Sequence, residues 1–145
     1  MKRLSLLLGL VLVFFGSVGC NNDDGVNFHF EALEIVNAQL PDAFELNEQY
    51  EITVTYNRPD DCTFFEGFDV SQNDTTVRSV VVVGSVLTDR ECNETGDQVT
   101  ATFNFVVLHD QDYRFRFWQG EDENGEPLYL EVIVPINRPT DNSNR

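Results

Sequence analysis

Between Phe28 and Ile136 apolar side chains recur at every second residue far more often than at every third or fourth. A β-strand turns successive side chains to opposite faces, so this period commits the chain to half-buried strands rather than helices. Tyr50-Glu51-Ile52-Thr53-Val54-Thr55-Tyr56 is the cleanest instance, with Tyr50, Ile52, Val54 and Tyr56 on one face and polar residues on the other. Val99, Ala101, Phe103, Phe105 and Val107 repeat the pattern, and so do Tyr113, Phe115 and Phe117.

Turn residues punctuate the runs. Leu40-Pro41-Asp42 closes a first strand that starts at Phe28, and Asp42 to Gln49 reads as a loop. Asn57-Arg58-Pro59-Asp60-Asp61 ends the second strand, because proline brings no N–H to a ladder. Cys62 to Val70 resumes, with Phe64, Phe68 and Val70 expected on the inner face. Val77 to Leu87 is nearly continuous and β-branched, which fits one strand covered on both sides or two pieces joined by a bulge at Gly84. Asp89 to Asp97 reads as a loop, and Asn124-Gly125 is the strongest hairpin signal. The sum is about seven short strands in residues 28–137 and no amphipathic helix, the pattern of an all-β, antiparallel β-sandwich. At the level of this pattern it resembles the immunoglobulin-like class, without that class's intersheet cysteines and central tryptophan. A barrel of the same strands is the alternative.

The first residues follow a different rule. Lys2 and Arg3 precede an apolar run from Leu4 to Val18, and the run ends in Ser17-Val18-Gly19-Cys20. About 20 residues are needed to span a bilayer, so the run fits a secretory signal better than a membrane helix. Its end resembles the lipidation box of bacterial lipoproteins, with Ser17 where leucine is commonest. The resemblance implies that residues 1–19 are removed, that the Cys20 thiol carries a lipid, and that the protein sits in the cell envelope on an outer membrane. Asn21-Asn22-Asp23-Asp24-Gly25 then opens an acidic tether over 20–27. It is similar to the surface-export signal of Bacteroidetes lipoproteins, which implies display on the cell surface. Residues 138–145 read as a polar tail.

The other two cysteines, Cys62 and Cys92, form an even pair, and in the oxidising compartment implied by the lipidation box they read as a disulfide. A metal pair is the competing reading, but neither histidine, His29 or His109, stands at ligand spacing to them. In an immunoglobulin-like sandwich the loops holding Cys62, Cys92 and Asn124-Gly125 share one pole.

The chain of 145 residues has 25 acidic against 9 basic residues and a formal net charge of −16. That balance excludes nucleic acid as a partner, since phosphate contacts need clustered Lys and Arg. The shared pole would gather many carboxylates, and Asp60, Asp61, Asp122 and Glu126 are the candidate ligands for calcium, an oxygen-seeking cation. Solvated acidic loops explain the same residues without a metal, and no other cofactor is indicated. Arg114, Arg116 and Trp118 alternate with the inward aromatics of their strand and form a candidate binding face for a protein or a glycan. Pairing of those arginines with acids such as Glu131 is the bland alternative. His109 has acids nearby but no serine sits in a nucleophile elbow, so hydrolase chemistry finds little support. The expectation is a non-catalytic binding or accessory module held to a membrane by its lipid, with a purely structural envelope role as the alternative.

Overall fold

The computed structural model describes Gly25 and residues 27–138. Cys20, the apolar run before it and the tail beyond Arg138 lie outside the described residues. Eight strands follow one another: β1 (Phe28–Leu33), β2 (Ile35–Gln39), β3 (Gln49–Asp60), β4 (Thr63–Gln72), β5 (Val77–Leu87), β6 (Glu94–Val106), β7 (Tyr113–Glu121) and β8 (Pro127–Val134). They form two sheets, one of β2, β3 and β6, the other of β1, β4, β5, β7 and β8. The chain is thus an all-β sandwich, with no helix among the described residues.

The expected first strand is two strands. Leu33 and Ile35 are both buried, although one residue between them should put both on one face only in an unbroken strand. Here the chain steps across at Glu34, so that β1 pairs with β5 and β2 pairs with β3 in the opposite sheet.

Strand β5 organises the larger sheet. One of its edges pairs with β4 along nearly its whole length. The other edge is divided: β7 pairs with Val77–Val80 and β1 pairs with Val82–Leu87. The β5–β7 ladder is parallel, which corrects the wholly antiparallel expectation.

Alternation was misread on β4. Phe64 is 46 % and Val70 38 % exposed, while Phe68 packs against the core. The ladder shifts register between Phe65 and Gly67, and one extra residue reverses the facing of everything before it. Phe64 therefore points outward opposite Ser85, and Phe68 points inward opposite Val82. The bulge does fall at Gly84, but its extra residue, Glu66, is on β4, while the β1–β5 ladder runs straight through. An added Cβ at Gly84 would lie 2.8 Å from a methyl of Leu33 and 3.1 Å from the Phe64 carbonyl oxygen. Glycine fits there because the two neighbouring strands of its own sheet close over that point. Pro59 does not end β3 either, since the strand runs on to Asp60 with a register shift beside the proline.

The core is a column of aromatic rings. Phe44 lies 4.9 Å from Tyr50, 5.7 Å from both Phe105 and Tyr113, and 6.1 Å from Phe115, centroid to centroid. Phe44 is wholly buried, although it lies in the stretch expected to be a loop. Its backbone explains why: its N–H donates to the Pro135 carbonyl (2.8 Å) and its carbonyl accepts from Asn137 N–H (2.8 Å), a short parallel bridge to Ile136. Arg78, 8 % exposed, closes one end of the column. Its guanidinium stands over the Phe105 and Tyr113 rings and donates to the carbonyls of Asp74, Thr75 and Val77.

Tyr113 fixes the corner between β6 and β7. Its buried hydroxyl accepts from the N–H groups of Leu108 (3.1 Å) and His109 (3.0 Å). A tyrosine reaching back to the backbone at the start of the penultimate strand is the tyrosine corner of Greek-key sandwiches. Replacing Tyr113 by Phe leaves two backbone donors without their acceptor. A loss of about 1–3 kcal/mol is expected in urea unfolding, against less than ~0.5 kcal/mol for Tyr129→Phe on the outer face.

Candidate functional site

The ladder registers place the β3–β4 turn, the β5–β6 loop and the β7–β8 hairpin at one pole, as the sandwich pattern implied. Cys62 and Cys92 are joined there, with Cα atoms 5.6 Å apart. Asp61 knits the same two loops together. Its carboxylate accepts from the backbone N–H (2.9 Å) and side-chain amide (3.0 Å) of Asn93, and its carbonyl accepts from Arg90 (2.8 Å). These bonds, the Asn93 side chain's first, hold the Asp61 carboxyl below the usual carboxylate range. Asp60 turns the chain locally, taking the N–H of Cys62 and the hydroxyl of Thr63.

Asp122 does the same for the hairpin. Its carboxylate accepts from the N–H groups of Glu126 (2.9 Å) and Asn124 (2.8 Å), and these two bonds lower its pKa. The hairpin forms as expected, but with Gly125 alone at positive φ (80°) rather than both residues of the Asn-Gly pair. This is a three-residue loop whose last member is left-handed.

The proposed calcium ligands do not converge. Among the described residues, the one group of three or more ligand-type side chains within 4.8 Å of each other is Asp61, Cys62 and Cys92, and its two sulfurs are bonded to each other. Asp60 accepts through Oδ1 from its own turn, Asp61 accepts from Asn93, and Asp122 accepts from its own hairpin. The N-terminal lipid site, Cys20, lies outside the described residues.

Arg114, Arg116 and Trp118 do share the outer face of β7, but they are not one site. Arg116 donates to Glu131 (3.2 Å) and stacks 4.0 Å above the Tyr129 ring. Arg114 stands opposite Ile133, at the far end of the strand. Arg114 lines an open hollow of about 460 Å³ with Asp74, Asp112 and Ile133, and Trp118 lines a different one. Where β7 parts from β5 and β1 takes its place, a cleft of about 520 Å³ opens, lined by Trp118, Glu31, Leu33, Glu34, Asn57 and Arg58 among others. That volume lies within the range of small-molecule sites.

Each wall of the cleft follows from the fork. The crossing at Glu34 swings its carboxylate against Gly120, where an added Cβ would lie 2.9 Å from Glu34 Oε1 and where φ is +105°. Asn57 donates to Glu34 (3.4 Å), and its N–H donates to the Glu34 carbonyl (2.9 Å). Arg58 is anchored by Asp97 on β6 through one terminal nitrogen. Its Nε, in contrast, is buried and has no partner. A donor shut from water and left without an acceptor is costly, so this nitrogen is a local cost of holding Arg58 against Asp97.

Sequence reasoning found one wall of this cleft, Trp118, and missed Glu31, Glu34, Asn57 and Arg58. The last two sat in a stretch read as a turn because of Pro59. Comparison with protein-family models, with curated proteins and with solved structures yields no match to this chain.

The stapled pole generates two predictions. Replacing Cys62 and Cys92 together by Ala reopens a loop of 30 residues and should cost about 3–4 kcal/mol in chemical unfolding. The carboxyls of Asp61 and Asp122 have folded pKa values below their unfolded ones. Their contribution is therefore complete above about pH 4 and is lost as pH falls further, through the folded values. An acid titration followed by tryptophan fluorescence should show stability dropping there, and Asp61→Asn should flatten that drop.

Proposed function

We propose that the protein is a lipid-anchored cell-envelope module that binds without catalysing, and that it takes a glycan in the cleft between β1 and β7. The observation that carries this reading is the cleft itself, about 520 Å³, with Trp118 and Arg58 both in its lining. Sugars present hydroxyls beside apolar C–H faces, and a guanidinium with an indole in one lining matches both. Glu31, Glu34 and Asn57 add hydrogen-bonding groups to the same lining.

Two features support holding over turnover. Glu31 faces His29 (3.5 Å) and Glu34 accepts from Asn57, so each carboxylate of the cleft is already engaged. The charge of the chain favours a neutral ligand over an anionic one. The membrane attachment through Cys20 and the outer-membrane, surface-facing location rest on the lipidation box and the acidic tether.

A glycan array followed by calorimetry tests the reading. A binding glycan should lose at least about tenfold in affinity, roughly 1.4 kcal/mol, with Trp118→Ala and with Arg58→Met. The unfolding midpoints of both variants should stay close to that of the parent. No binding across the array would favour the structural envelope role. Cleavage of a bound glycan would make Glu31 and Glu34 the acid and base of an enzyme.

A further inference from the structure

The two sheets present opposite outer faces. On the smaller sheet Glu51, Thr53 and Thr55 stand across from Asn104, Thr102 and Thr100, a polar surface with Val106 at one end. On the larger sheet, at the end where the chain enters, the outer face is aromatic. Phe30 and Phe64 flank Ser85 from the two edges of β5, Ser85 donates its hydroxyl to the Glu66 carboxylate beside them, and Phe28 stands opposite Leu87 on the same face. Phe28 is 52 %, Phe30 64 % and Phe64 46 % exposed. Ala32 and Val83 continue the surface in the next row. Three phenylalanines side by side on one sheet face, half in water, need an occupant.

We infer that this face docks on the lipid bilayer to which the chain is tethered, with Phe28, Phe30 and Phe64 entering the interfacial layer. The inference rests on the reading of Cys20 as lipidated. Its support is where the outside chain ends. Phe28 is the first strand residue, and only residues 21–27 separate it from Cys20. A fully extended chain covers at most about 3.3–3.6 Å per residue, so Phe28 stays within roughly 30 Å of Cys20 in every conformation and the other two rings are its neighbours on the same face. A short tether holds a weak contact at an effective concentration in the millimolar range, which lets a few partly buried rings suffice.

Charge selects the kind of surface. From Cys20 onward the chain has 25 acidic and 7 basic residues, a net charge of −18, and is not drawn to anionic lipid, so insertion of apolar rings has to supply the attraction. Docking is then strongest on zwitterionic lipid. It weakens as anionic lipid is added and recovers as salt screens the repulsion. A basic membrane-binding patch would show the reverse of each trend.

The test uses the mature, acylated chain in phosphatidylcholine vesicles with brominated acyl chains, which quench nearby indoles. Trp118→Phe removes the single native tryptophan. Phe30→Trp or Phe64→Trp then reports from the aromatic face, and Thr102→Trp from the polar sheet. Mass spectrometry of each sample reads the acylation of Cys20. The expected result is quenching at least about threefold stronger at positions 30 and 64 than at 102, and a fall in that ratio when phosphatidylglycerol is mixed in. Equal quenching on an acylated chain overturns the docking and leaves the anchor intact. Shielding of position 30 from both brominated lipid and aqueous acrylamide assigns the face to a second copy and also overturns it. A bare Cys20 sulfur overturns the anchor, and the docking falls with it.

Discussion

A strand in a sheet has two hydrogen-bonding edges, and β5 has three strands to accommodate. The division of one edge between β7 and β1 is the constraint from which the other features follow. Because β7 holds only Val77 to Val80, its upper half is free to lean away. Because β1 enters above it and must leave for the other sheet, the chain crosses at Glu34 directly beside that gap. The gap is the cleft, the crossing supplies its carboxylates, and Leu33 folds over Gly84 to seal the floor. No separate device is needed to build a concavity on a small sandwich. A topology that cannot pair every residue of β7 produces one.

The acidic pole has a plainer explanation than its charge suggests. Asp60 and Asp122 each accept backbone N–H groups within a tight turn, which is what short carboxylate side chains do well, and Asp61 accepts the N–H of Asn93 across from the next loop. Together with the disulfide they fasten three loops by local bonds. The sequence concentrates acids there because loops require them, and the excess charge keeps the exposed surface soluble.

Much of this was legible from alternation alone. The inward faces of β3, β6 and β7 were right residue by residue, because each presents one dry and one wet side and no bulge interrupts the apolar rows. Legibility failed where a single residue changed the count. The shift at Glu66 turned Phe64 outward, and the crossing at Glu34 split an apparent single strand in two. Phe44 was hidden for another reason: it enters the core from a loop, held by two backbone bonds to a segment far along the chain, and no local pattern encodes such a partner. The candidate site fared similarly. Trp118 was visible as an indole on an arginine-bearing face, but Arg58 gained its meaning only from the fork of two strands distant in sequence.

The bridge between Phe44 and Ile136 joins an early loop to the segment just after the last strand. Until Pro135 and Asn137 are in place, Phe44 has no backbone partners and the aromatic column lacks its central ring. Closure of the domain is therefore the last event available to a growing polypeptide, not an early one. A chain released vectorially, amino end first, would stay pliable over most of its length and lock only when its final residues arrive.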